Sequence, residues 1–255
     1  MKQAKKIVVG NWKTHPDTAP EAKNIAKRIR LSSAVLKRTK VVVCPPFLYM
    51  DECKSLAKKS VSALGAQNVL FEEGASYTGE ISAQMLKNVG VEYVIVGHSE
   101  RRHVSCESDT VVAKKASVCA RNGLTAVVCV GERERDVDGG YLAILSEQIR
   151  VSFQEIDKSL LKNIIVAYEP IWAVGAKYAM KPEDVYESTL FVRKILSELY
   201  GKETGFSVPV LYGGAVTPEN AAEIISVGLV EGLLVGRESI VPEHFIELLK
   251  SIDGL

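Results

Sequence analysis

Eight short apolar runs recur along the 255 residues, and their character restricts the possible folds more than any other feature of the chain. They are Ile7–Val9, Val41–Cys44, Ser62–Gln67, Tyr93–Val96, Ala126–Val130, Ile164–Tyr168, Val208–Tyr212 and Gly232–Val235. Most are continuously apolar rather than alternating, the pattern of strands covered on both faces. Segments of helical period lie between them. Asp184–Leu199 sets Val185, Leu190, Val192, Ile195, Leu196 and Leu199 broadly on one side, and Tyr141–Phe153 does the same with Leu142, Leu145 and Ile149. Thr217-Pro218-Glu219-Asn220 carries the cap residue, first-turn proline and acid of a helix start; Pro242-Glu243 opens a last helix with Phe245, Leu248 and Leu249. Eight strands, each followed by a helix, predict an α/β chain forming one (βα)8 barrel domain over residues 1–255, a length typical of that architecture. An open doubly wound sheet is the structural alternative. A barrel gathers its chemistry at the C-terminal ends of its strands, in the βα loops.

Bulk composition narrows the function. Net charge of +1 gives no reason to expect a nucleic-acid or anionic-membrane partner, and no run approaches the roughly 18 apolar residues of a membrane span. The five cysteines are odd in number and show no CxxC spacing; Cys44 and Cys129 lie within apolar runs, as small buried hydrophobes do. Met1–Lys6 is basic but leads into only three apolar residues, so no secretory leader is expected. A cytoplasmic protein is the expectation.

The strand ends are polar in a way that suits proton chemistry. Ile164–Ala167 is apolar, Glu169 follows almost at once, and Pro170, without an N–H, stops the ladder there. Ile171, Trp172, Ala173 and Val174 then form a loop too apolar for a solvated one, ended by Gly175. Alone, Glu169 would ordinarily be a salt-bridge partner in a buried loop. The other strand ends change that reading. Strand one ends in Gly10-Asn11-Trp12-Lys13 and strand four in Gly97-His98-Ser99-Glu100-Arg101-Arg102. A lone lysine is ordinarily a solvated charge and a lone histidine ordinarily a network partner. Delivered together with Glu169 to one end of a barrel, they supply a base, an imidazole able to polarise a carbonyl, and a cation, which is the set needed for proton abstraction next to a carbonyl. Strands seven and eight end in Tyr212-Gly213-Gly214-Ala215 and Val235-Gly236-Arg237-Glu238. Glycine pairs are commonly just turns, but at these two strand ends they allow backbone N–H groups to approach an anion.

These segments resemble the triosephosphate isomerase family. Asn11-Trp12-Lys13, His98 to Arg102, Cys129-Val130-Gly131-Glu132, Tyr168 to Gly175 and Tyr212-Gly213-Gly214 match it in order and spacing, and Gln67-Asn68 with Tyr77-Thr78-Gly79-Glu80 resembles its dimer loop. The resemblance implies interconversion of dihydroxyacetone phosphate and D-glyceraldehyde 3-phosphate without cofactor or metal. Glu169 would be the base and His98 a neutral imidazole, a pairing for which this family is itself a standard illustration. Lys13 would stabilise enediolate and phosphate charge, Asn11 orient oxygens, and Glu100 stand behind His98 and Lys13. Gly175, Ala215, Gly236 and Arg237, with Asn11 and Lys13, would hold the substrate and its phosphate. Pro170, Ile171, Trp172, Ala173, Val174, Gly175 and Ala176 would form a lid that excludes water, and Thr78 would reach a neighbouring subunit's site, implying a homodimer. Arg101 and Cys129 would support the site, and His15 and His103 would be structural or surface residues.

Three positions depart from the family pattern: Ala215 where it usually has serine, Arg237 where it usually has a second glycine, and Ala176-Lys177-Tyr178 where the far lid hinge is often Thr-Gly-Lys. The Arg237 side chain is expected to point outward, to solvent or to Glu238. These departures leave open an isomerase of a longer ketose phosphate, such as an erythrulose phosphate, and a barrel retained only for protein binding. The intact lid and the intact Lys13, His98 and Glu169 speak against both.

Overall fold

The computed structural model describes residues 6–58, 61–174 and 179–255. Its strands are β1 (Lys6–Asn11), β2 (Thr39–Cys44), β3 (Ser62–Ala66), β4 (Val91–Val96), β5 (Thr125–Val130), β6 (Ile164–Tyr168), β7 (Val210–Tyr212) and β8 (Gly232–Val235). Each pairs in parallel with its neighbours in chain order, and β1 closes on β8 through the register Ile7↔Gly232 to Gly10↔Val235. The result is a closed eight-stranded α/β barrel. Its helices are α1 (Ala19–Ser33), α2 (Met50–Cys53), α3 (Ala83–Asn88), α4 (Ser99–Val104), α5 (Asp109–Arg121), α6 (Gly140–Phe153), α7 (Pro182–Tyr200), α8 (Lys202–Ser207), α9 (Ala221–Gly228) and α10 (Pro242–Asp253). None is long and apolar enough to cross a membrane.

The continuous apolar runs are explained by two cores, one on each side of the barrel wall. Val9, Val42, Cys44, Ala63, Ile95, Val127, Cys129, Ile165, Ala167, Leu211 and Leu234 fill the lumen. The alternate residues, among them Val8, Val41, Val43, Val94, Val166 and Val210, pack outward against Ile25, Ile29, Val112, Ile149 and Phe245 of the helices. Period two is still there, but both phases are apolar because both faces are dry. Burial drives the Cys44 and Cys129 thiols upward in pKa, so both remain neutral packing groups. All five cysteines are unpaired.

Two helix readings need correction. The segment 217–220 is a turn that leads into α9 instead of being its first turn: the Thr217 N–H donates to Asn220 Oδ1 at 2.9 Å, and Asn220 is the N-cap. In α7 the inward stripe holds Val185, Val192, Ile195 and Leu196 as expected, but Leu190 and Leu199 are exposed. Ser188, Thr189 and Arg193 take the remaining inward positions. Arg193 can be buried because Glu231 receives its guanidinium through both carboxylate oxygens at 2.7 Å, and the Phe206 carbonyl accepts a third bond at 3.0 Å. Strand seven also begins two residues later than its apolar run, since Pro209 has no N–H for the ladder; its carbonyl still accepts from Val166 at 2.9 Å.

Candidate active site

The lumen-facing phase of these strands, followed to the strand end or one residue past it, fixes what reaches the mouth. Val9 leads to Asn11, Cys129 to Gly131, Ala167 to Glu169 and Leu211 to Gly213. At β4 the same phase arrives at Gly97, and Gly97 has a φ of +68°, a conformation that side chains rarely adopt. That turn resets the alternation and lets His98 face the cavity.

His98 is also the N-cap of α4. Its Nδ1 accepts the Glu100 N–H at 3.2 Å, satisfying one of the otherwise unbonded donors at the helix start. A nitrogen that accepts carries no proton, so the proton of the neutral ring lies on Nε2. Nε2 lies 3.2 Å from Glu169 Oε1, and the other carboxylate oxygen, Oε2, accepts the Ser99 N–H at 3.1 Å. The Glu169 and His98 side chains are 3% and 7% exposed, so this acid–base pair is dry and fully partnered. Gly213 makes room for it: a Cβ there would stand 2.8 Å from Glu169 Cγ.

Lys13 completes the group. It has a φ of +55° that only surrounding contacts can hold. Asn11 Oδ1 accepts its N–H at 3.1 Å, and Gln67 Nε2 donates to its carbonyl at 2.8 Å and to that of Cys44 at 2.9 Å. Its ammonium reaches Glu100 Oε1 at 2.5 Å. Asn11, Lys13, His98 and Glu169 line one cavity of about 590 Å³ with Val174, Gly213, Ala215, Gly236 and Arg237. The backbone N–H groups of Ala215, Gly236 and Arg237 have no acceptor among the described residues, as an anion nest requires. A larger cavity of about 820 Å³ lies across Val174, lined by Arg102, His103, Ile144 and Gln148; the His98–Glu169 pair does not line it.

The lid segment is tied at its near end. Pro170 leads into a single 3₁₀ turn, Ile171–Ala173, and Val174 borders the cavity. Glu132, buried at the end of β5, accepts from Trp172 Nε1 at 3.0 Å, from the Tyr168 hydroxyl at 2.8 Å and from Arg135 Nε at 3.2 Å, while its carbonyl accepts the Ile171 N–H at 2.9 Å. Burial, then the Glu132 charge, pushes the Tyr168 phenol upward in pKa, so it stays a donor. Gly175, Ala176, Lys177 and Tyr178 lie outside the described residues. Thr78 is exposed at the tip of a loop whose base is closed by Leu70 N–H to the Ile81 carbonyl at 2.8 Å; Thr78 does not line its own chain's cavity. Arg101 pairs with Glu107 at 2.6 Å, and Glu107 also takes the buried Lys115 at 2.5 Å. Arg237 is exposed to solvent, one of its two expected surroundings, and Glu238, the other, holds His244 Nδ1 at 2.7 Å.

Sequence reasoning gave no role in the site itself to Glu132, Gln67 or Ser99, although each lies in a segment that resembles the family. All three act through a bond to a residue that it did single out, and nothing in their spacing signals those bonds.

The sequence model of the triosephosphate isomerase family matches residues 6–252. Similar proteins include triosephosphate isomerases of Dictyoglomus thermophilum, 36% identical over 97% of this chain and 99% of its own, and of Moorella thermoacetica, 38% identical over 95% and 97%. That of Vesicomyosocius okutanii is 37% identical over 96% of this chain and 98% of its own.

Proposed function

The chain belongs to the triosephosphate isomerase family and interconverts dihydroxyacetone phosphate and D-glyceraldehyde 3-phosphate, a step of glycolysis and gluconeogenesis, and we propose that Glu169, His98 and Lys13 carry the chemistry. Glu169 removes a proton from the carbon next to the substrate carbonyl. The C–H electron pair forms the carbon–carbon double bond, and the carbonyl π pair moves onto oxygen. His98 Nε2–H stabilises that oxygen and passes a proton between the two oxygens of the enediol, and the Lys13 ammonium balances the developing charge. Glu169 then returns its proton to the neighbouring carbon. Asn11 holds the Lys13 backbone and presents its amide to the oxygens; Glu100 orients His98 through its N–H and Lys13 through its carboxylate. Ala215, Gly236 and Arg237 offer N–H groups to the phosphate, with Gly175 and the rest of the lid segment, Pro170 to Ala176, closing over it.

The single observation that carries this reading is the dry His98 Nε2–Glu169 contact at 3.2 Å, in the same cavity as Lys13. The test is a coupled assay with glyceraldehyde 3-phosphate beside erythrulose phosphates. Turnover is expected with the triose phosphate and at most about a hundredth of that efficiency with the four-carbon esters, the discrimination a close-fitting pocket can give one extra carbon. Preference for an erythrulose phosphate would overturn the substrate; no turnover of either would overturn the enzyme.

The same reading makes the protein a cytoplasmic homodimer in which the Thr78 loop completes the neighbour's site. Its support is an exposed loop that is already shaped, with Tyr77 OH on Glu72 at 3.1 Å and the Phe71 and Tyr77 rings 6.1 Å apart, and with the exposed Leu48 and Met85 sharing a hollow with Ile81 at its base. Thr78→Asp is expected to shift sedimentation toward monomer and to lower activity in proportion. A fully active monomer would contradict it.

A further inference from the structure

We infer that the Arg237 side chain is a specificity-determining element of this site, adding a guanidinium to a phosphate grip otherwise made of backbone N–H groups. The inference rests on the sugar-phosphate reading above. Its ground is the charge census of the cavity. Among the described residues, the charged groups lining it are Lys13, Glu169, Arg237 and Glu238, with the imidazoles His15 and His98. Three of the four charges are already engaged: Lys13 by Glu100 at 2.5 Å, Glu169 by His98 and Ser99, and Glu238 by His244 at 2.7 Å. Arg237 alone has no partner among the described residues, although a carboxylate follows it directly in sequence.

Position reinforces charge. Gly236 lies against Lys13, since a Cβ at 236 would meet Lys13 Cε at 3.8 Å. Arg237 is therefore next to the place where the lysine side chain passes, and its own N–H is one of the free donors of the nest. A guanidinium fork fits two phosphate oxygens at once, which a shared ammonium cannot do. With Lys13 divided between substrate and Glu100, and Glu169 held by His98 and Ser99, Arg237 is the uncompensated positive charge among the described residues that a dianionic phosphate meets. Its contact with the phosphate is the same in substrate and transition state, so it should act on KM far more than on kcat. Because Arg237 is exposed, its effect should weaken with ionic strength.

The test compares wild type, Arg237→Gly and Arg237→Lys with glyceraldehyde 3-phosphate at low and physiological salt, and with inorganic phosphate as the probe in titration calorimetry. Arg237→Gly is expected to raise KM about tenfold or more, to move kcat much less, and to flatten the salt dependence of KM. Arg237→Lys should recover part of the loss, and phosphate affinity should fall in step. A KM change under about threefold with unchanged salt dependence, or a loss confined to kcat, would overturn the inference while leaving the isomerase reading intact. If neither protein turned over but wild type bound phosphate and Arg237→Gly did not, the grip would stand and the isomerase reading would fall.

Discussion

Glu169→Gln is expected to lower kcat by about 10²–10⁴-fold, the range over which a positioned base contributes, and to leave the barrel intact. The amide keeps the shape of the carboxylate. Its oxygen can still accept the Ser99 N–H, a bond of 3.1 Å in the native site. What is lost is the basic oxygen that receives the carbon-bound proton. The amide NH2 cannot accept the His98 Nε2–H, a loss of about 1–3 kcal/mol set against the relief of no longer burying a charge on a side chain only 3% exposed, so the protein should still melt cooperatively as a folded barrel. The coupled assay and a thermal melt check the two halves separately. Turnover near that of the native protein would remove Glu169 from the role of base.

Gly131→Ala should damage fold and site together, with a stability loss of about 3 kcal/mol or more in urea unfolding. Gly131 is the point where β5 and β6 leave the barrel in contact. A Cβ there would stand 1.8 Å from the Glu169 carbonyl oxygen and 2.5 Å from its carbonyl carbon, neither of which is a side-chain end that can swing away. The bonds on either side, Glu169 N–H to Val130 at 2.8 Å and Ile171 N–H to Glu132 at 2.9 Å, hold the two segments at that spacing. Relief requires the strands to part, and the part that moves carries the base. Gly254→Ala is the matched control: its nearest new contact is an ordinary 3.6 Å and its φ is −77°. A loss below about 1 kcal/mol in Gly131→Ala would show that the strand ends separate freely, and with them the argument that Gly131 positions Glu169 would fall.

The eight strands were legible because each is dry on two sides and so reads as an unbroken apolar run. Their limits were less so. Glu92, on β4, and Lys40, on β2, interrupt the apolar pattern yet sit in strands, since their ion pair at 3.4 Å lets the ends meet solvent. The inward stripe of α7 was misread at Leu190 and Leu199 because a buried arginine paired to Glu231 is invisible to a hydrophobic count. At the site, Lys13, His98 and Glu169 could be named from strand ends and motif order. The tautomer of His98 could not, for it depends on a cap bond to the backbone. Nor could the engagement of Glu238 by His244, six residues further on and across a turn, which leaves Arg237 without a partner among the described residues.

The seam between β1 and β8 sets when this molecule can come into being. Ile7–Gly10 finds its second neighbour only at Gly232–Val235, and the Trp12 indole donates to the Ser239 carbonyl 227 residues away at 3.1 Å. Contacts of such sequence separation form late, after the chain has lost most of its freedom. A nascent chain still short of β8 carries every side chain of the acid–base trio, yet its first strand is an uncovered edge able to pair with another copy. Pairing with β8 removes that hazard. A polypeptide that holds β1 to β7 but is cut before residue 232 would present an open sheet with β1 as a free edge rather than a weakened enzyme.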